Sequence, residues 1–244
     1  MLVELAGVTK RFGGLVVVDD LSLTVASGEA LGVIGPNGAG KTTMLDLVAG
    51  DLRPERGVVR FAGRDITHQR ADQRVRAGIA RTAQVPRPYP AMTVFENVLV
   101  AGVFGATGRR GERAATPVVV DALDRTGLLD RANDLAGSLG LLGRKRLELA
   151  KALATSPQVL LLDEIAGGLT EAEVHELVAT ITELHAGGMT IVWIEHVVHA
   201  LLAVVGRMAA ISFGRLIGDG DPAAVMASAP VREVYLGVEP ETAA

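Results

Sequence analysis

Gly35-Pro36-Asn37-Gly38-Ala39-Gly40-Lys41-Thr42-Thr43 follows the apolar run Ala30–Ile34 and opens a segment of helical pattern, Thr42 to Ala49. Strand, glycine-rich turn and helix in that order suit a chain of phosphates. Concentrated negative charge is held by a concave set of backbone N–H groups, a helix N-terminus and a cation. The glycines let the backbone curl that closely. At this spacing Lys41 reaches the β- and γ-phosphates of a nucleotide and the Thr42 hydroxyl ligates Mg²⁺, so the whole stretch is a P-loop.

Working outward, the 244 residues are 49% hydrophobic, enough for a buried core without covalent staples. The chain has no cysteine, which excludes disulfides and thiolate zinc sites and fits a reducing cytosol. Glu4 interrupts the first apolar stretch, so no secretory signal is expected. No apolar run reaches the roughly 18 residues of a membrane helix, since Ala200–Val205 lies between His199 and Arg207. Lys+Arg 24 against Asp+Glu 28 gives a net charge of −4, which offers no electrostatic basis for binding nucleic acid.

Short β-patterned segments fill the first third: Leu2–Val8, Val16–Val25, Ala30–Ile34, Val58–Phe61 and Gly78–Gln84. Thr93–Val103, Val118–Thr126 and Arg144–Ala154 have helical patterns, and Gly105 to Pro117, with its Arg109–Arg113 cluster, is expected to be a flexible connector. Val159–Leu162, Thr190–Ile194 and Arg207–Ser212 then read as buried strands alternating with helices. After Thr170 a helix is expected, with Thr170 and Glu173 as its capping box. Its apolar stripe is Val174, Leu177, Val178, Ile181 and Leu184, and Gly187-Gly188 ends it. The expected fold is α/β: a P-loop core with an N-terminal antiparallel β portion and a helical insert.

Val159-Leu160-Leu161-Leu162-Asp163-Glu164 sets two carboxylates at the C-terminal end of a buried strand, where open α/β sheets bind ligands. Asp163 suits a Mg²⁺ shell; Glu164 suits accepting a proton from, or orienting, an attacking water. Thr190–Glu195 delivers His196 to the end of another strand, in reach of a γ-phosphate.

Together these residues resemble the nucleotide-binding subunit of an ATP-binding cassette (ABC) transporter, over essentially the whole chain. The resemblance implies ATP and Mg²⁺ as cofactors. It makes Glu164 the catalytic glutamate, His196 the switch histidine and Lys41 the catalytic P-loop lysine. It makes Phe12 an adenine-stacking aromatic, and it makes Gln84 both a catalytic residue and, with Thr42 and Asp163, a Mg²⁺ ligand. It divides the single ABC ATPase domain into a core, 1–84 and 135–244, and a helical insert, 85–134. Lys10-Arg11-Phe12-Gly13-Gly14 followed by Val18-Asp19-Asp20, the triplet Ile194-Glu195-His196, and Val234-Tyr235-Leu236-Gly237 are similar to branched-chain amino acid importer ATPases. That similarity implies a peripheral subunit on the cytoplasmic face of the membrane. It implies transmembrane permease partners, a related but different ATPase as second nucleotide-binding subunit, and an extracellular or periplasmic solute-binding protein reached indirectly. Pro86-Arg87-Pro88-Tyr89-Pro90, stiff and carrying an aromatic, is the expected permease contact.

The chain departs from the family's Leu-Ser-Gly-Gly-Gln signature. Counting back from Arg146–Lys151, its place is held by Leu139-Gly140-Leu141-Leu142-Gly143. Glycine at 140 removes a hydroxyl donor to the γ-phosphate, and leucine at 142 sets a branched side chain where backbone should approach phosphate. An alternative register uses Ser138 and Gly140. Ile165 replaces a usual proline, and Thr170 a usual aspartate or asparagine. A P-loop GTPase or small-molecule kinase is disfavoured because no Asn-Lys-x-Asp motif occurs. A regulatory or clamp-like ABC ATPase of low turnover, and transport of another cargo such as urea or a lipid, remain as alternatives.

Overall fold

The computed structural model describes residues 1–105 and 111–236 and consists of two sheets flanked by helices. The first sheet is built from β1 (Val3–Phe12), β2 (Leu15–Val25), β4 (Arg56–Phe61) and the short β5 (Arg64–Asp65) in the order β2-β1-β4-β5, all antiparallel. The second uses β3 (Ala30–Ile34), β6 (Ile79–Arg81), β7 (Val159–Asp163), β8 (Thr190–Ile194), β9 (Arg207–Ser212) and β10 (Arg215–Gly220), in the order β10-β9-β3-β8-β7-β6. Its strands run parallel except for the edge strand β10.

β3, β7 and β8 are buried at every position because both faces of this sheet are covered. Alternation decides which face each residue serves. Leu31 and Val33 of β3, and Val159 and Leu161 of β7, join a core shared with the first sheet and with Met44 and Leu45 of α1 (Lys41–Ala49). Leu160 and Leu162 of β7 and Trp193 of β8 face the other way. They meet α5 (Leu141–Ala154) through Leu147 and Leu149, and α6 (Glu171–Ala186) through Leu177 and Ile181.

The middle of the chain supplies α2 (Ala71–Ala77), α3 (Val94–Phe104) and α4 (Glu112–Arg125), then 3₁₀ turns at Leu129–Arg131 and Ala136–Ser138. α3 and α4 pack on each other and both pack on α5. After β8 come α7 (Val198–Leu202), α8 (Pro222–Ala227) and α9 (Ala229–Leu236). Among the described residues no helix is long and apolar enough to cross a membrane.

Several expectations are corrected here. The stretch from Gly105 to Pro117 is not one connector: α4 starts at Glu112 and runs through Pro117. Its Ala115 and Val119 are fully buried, and burial of that face outweighs the backbone N–H that Pro117 lacks. Arg109 and Arg110 lie outside the described residues, as does Gly237. The strand expected over Gly78–Gln84 stops at Arg81, which leaves Gln84 in a loop. β1 extends past Val8 to Phe12 through irregular register with β2. α7 is the helix expected between β8 and β9, whereas α2, β10, α8 and α9 carry weak or short patterns that the sequence does not announce. The Thr170–Glu173 capping box is formed, Thr170 Oγ1 accepting from Glu173 N and Glu173 Oε2 accepting from Thr170 N. The same device at Thr93 and Glu96 starts α3.

Candidate nucleotide site

The P-loop joins β3 to α1 as its sequence requires. Gly35, Gly38 and Gly40 have φ of 154°, 79° and 98°, and a Cβ at Gly35 would lie 2.1 Å from the Ile211 carbonyl oxygen, so only glycine fits that crossing. Lys41, the first residue of α1, is buried, and its Nζ donates to Gly35 O at 2.6 Å and Pro36 O at 2.9 Å. Burial lowers the lysine's pKa from its ordinary value, while the charges of Glu164 and Asp163 oppose the shift. Val17, Asn37–Thr43 and Glu164 line a cavity of about 150 Å³. The N-terminus of α1 at the cavity and a cation inside the loop are the components an oligophosphate requires.

β7 carries the carboxylates to this cavity. Asp163 is completely buried; Thr42 Oγ1 donates to its Oδ1 at 3.5 Å, and Arg81 Nη2 donates to its Oδ2 at 2.8 Å. Glu164 turns into the left-handed region, φ 48°, and its N–H donates to Ile194 O at 2.8 Å. That conformation is costly for any residue with a Cβ and is held by the surrounding bonds. Gln84 Nε2 donates to Glu164 Oε2 at 2.7 Å, and His196 Nε2 lies 2.8 Å from Glu164 Oε1. Gln84, Glu164 and His196, distant in sequence, are thus in direct contact. With the amide nitrogen of Gln84 on Glu164, the amide oxygen is the atom a cation would use.

Phe12 stands apart from the cavity, at the tip of the β1–β2 hairpin. Phe12 is 48% exposed, with Lys10 Nζ over its ring at 5.5 Å from the centroid, so it is not a core residue. Tyr89 is exposed too, with its main-chain N–H and carbonyl both bonded to the Asn97 side chain.

Gly140 is the N-cap of α5, with φ −65° and no side-chain cap bond, and a Cβ there meets nothing within 4 Å. The two leucines that follow divide differently from expectation. Leu142 packs partly against the core, and Leu141 is the exposed one. Helical geometry directs position 142 inward, so the side chain at the surface belongs to position 141.

Three residues at the site are given no site role by the sequence. Arg81 bonds Asp163, bonds Asp51 at 3.2 Å and pairs with Asp46; burial works against its charge, but the bonds to Asp46 and Asp163 prevail and raise its pKa. Glu195, also buried, accepts from Ala166 N and His196 N, both at 3.0 Å, tying the loop after Glu164 to the loop of His196. Lys145 of α5 lies behind Glu164. For Arg81 and Glu195 the available signal was a charged residue at the end of a buried strand.

Residues 18–167 match the model of a family described as ABC transporter. The high-affinity branched-chain amino acid transport ATP-binding protein BraF of Pseudomonas aeruginosa is 34% identical over 97% of this chain and 98% of its own length. LivG of Escherichia coli, of the same description, is 34% identical over the same shares. Among solved structures, a nucleotide-free ATP-binding cassette from an ABC transporter superposes with a TM-score of 0.89 at 27% identity, covering 97% of this chain and 99% of that one.

Proposed function

The chain belongs to the ABC transporter family of ATP-binding, ATP-hydrolysing subunits, and from that premise we propose that it powers import of branched-chain or similarly apolar amino acids. The cargo follows from the described activity of the relatives, since nothing in a phosphate site contacts the solute. The same likeness supports transmembrane permeases and a related ATPase as partners, and a peripheral place on the cytoplasmic face of the membrane.

The observation that carries the catalytic assignment is the convergence of Gln84 and His196 on the two oxygens of Glu164, beside the Lys41 cradle. Lys41 and the N–H groups of Gly38–Thr43 bind the phosphates. Phe12 offers its ring to the adenine. Glu164 orients, or takes a proton from, the attacking water, and Gln84 and His196 hold its carboxylate until the γ-phosphate engages them. Mg²⁺ fits the hydroxyl of Thr42 and the carboxylate of Asp163, hard oxygen donors 3.5 Å apart, with Gln84 completing the protein's set. Bound there, it would neutralise charge on the phosphate oxygens.

In the dimer proposed here two nucleotide-binding subunits sandwich two ATP molecules, each held between the P-loop of one chain and the signature position of the other, so the start of α5 faces the partner's ATP. Glycine at 140 supplies no hydroxyl and Leu141 adds an apolar side chain. The chain therefore brings a full catalytic side to its own ATP and a weakened face to its partner's. The two composite sites are unequal in this proposal, the fast one lying on this chain's P-loop opposite an ordinary signature.

Purifying the tagged chain from solubilised membranes tests the transport assignment, together with competition of ATP-dependent uptake by unlabelled leucine, isoleucine and valine. Permeases and a second ATPase should co-purify, and those amino acids should compete. Recovery of no membrane protein would favour a regulatory ATPase; competition only by other solutes would change the cargo.

A further inference from the structure

Lys145 lies in the second turn of α5 and is 5% exposed. An ammonium group that deep needs strong compensation. The hydrogen bonds it makes among the described residues go to main-chain oxygens, Gln84 O at 3.0 Å and Glu164 O at 3.4 Å. Burial lowers its pKa, and the charges of Glu195 and Glu164 act to restore it. The two residues whose carbonyls it holds are the same two whose side chains meet at 2.7 Å in the candidate site.

Lys145 is also the first of three ties along one face of α5. Glu148 Oε1 accepts from Arg87 N at 2.9 Å, and Lys151 Nζ donates to Arg87 O at 3.4 Å. The segment 84–87 is therefore fastened to a helix that begins at Leu141. Of the three, only Lys145 also reaches Glu164, whose left-handed backbone persists only while its surroundings restrain it.

We propose that Lys145 is a positioning residue for hydrolysis: its ammonium fixes the main chain of Gln84 and Glu164 from behind, and couples displacement of the start of α5 to the carboxylate. The proposal rests on the assignment of Glu164 to the attacking water. Because the start of α5 faces the partner's nucleotide in that assignment, the same ammonium would link the two sites of a dimer. The hydrogen bonds Lys145 makes among the described residues reach none of Gly35–Thr43 and hold the main chain rather than the side chain of Gln84, so its loss should lower turnover and leave nucleotide affinity in place.

The test uses the full chain in the complex recovered from membranes, comparing Lys145→Met, Lys145→Gln and Lys145→Arg. Removing a charged hydrogen bond should lower kcat about tenfold or more in Lys145→Met, with Mg-ATP affinity changed less than about twofold, and Lys145→Arg should recover most of the rate. In a Gln84→Ala background the Lys145→Met loss should shrink, because the two act through one contact. A wild-type kcat in folded Lys145→Met, or in Lys145→Gln if the first does not fold, would overturn the proposal. Losses that simply multiply with Gln84→Ala, or no recovery by arginine, would also overturn it by marking a packing role. Glu164→Gln assayed alongside separates the two claims: a strong defect there with none at Lys145 leaves the Glu164 assignment standing and removes Lys145.

Discussion

The phosphate cradle and the start of α5 are both helix N-termini preceded by glycine, and they differ in nearly everything else. At α1 the loop is bent by Gly35, Gly38 and Gly40, filled by the buried Lys41 and flanked by the Asp163–Arg81 pair and the Gln84–Glu164–His196 contacts. Neither cap makes a side-chain bond, but at α5 Gly140 faces open space and Leu141 is exposed. A helix end alone supplies N–H groups to an anion. Cation, carboxylates and a restrained loop turn such an end into a site, and only one of these two helices has them.

Three substitutions on the rich side should fall in order of effect. Lys41→Ala removes the only cation inside the P-loop and should abolish tight nucleotide binding, read as loss of thermal stabilisation by Mg-ATP. An undiminished shift would make the two helix ends equivalent. Glu164→Gln keeps a hydrogen bond and loses the charge, so steady-state turnover in the assembled complex should fall at least ~10²-fold while ATP still binds. Near-normal hydrolysis would move the chemistry elsewhere. Arg81→Met frees one oxygen of Asp163 and should weaken Mg²⁺ affinity by roughly ten- to a hundredfold, measured as the Mg²⁺ concentration giving half of the ATP-induced stabilisation. No change would show that Thr42 and burial alone hold Asp163.

How much of this was legible follows the same division. The P-loop residues follow one another directly after one buried strand, and Asp163 and Glu164 are neighbours at the end of another, so local pattern alone placed them. Gln84 was placed by family resemblance and His196 by the strand before it, but their meeting at Glu164 depends on the strand order β8-β7-β6, which periodicity does not report. Arg81, Glu195 and Lys145 were missed because a buried charge is defined by its partners, and those partners come from other elements. The fold was read well where strands are buried on both faces and poorly where tertiary packing overrides composition. α4 is the clearest case: its polar, proline-containing start is helical because Ala115 and Val119 are buried. The inward turn of Leu142 was likewise invisible until the helix phase was known.

The claim that the two ends are unequal is tested most directly by steady-state hydrolysis of saturating Mg-ATP by the purified chain alone, where both composite sites would receive the weak face. Wild type is compared with Gly140→Ser and with Gly140→Ser/Leu141→Gly. Serine meets no atom within 4 Å at its Cβ and suits an N-cap, so the first variant should fold as well as the parent. The wild-type chain should turn over slowly and Gly140→Ser should raise the rate, with removal of the exposed Leu141 side chain in the double variant raising it further. Vigorous wild-type hydrolysis with no gain in either variant would contradict the account and show that the N–H groups at the start of α5 are sufficient as they stand.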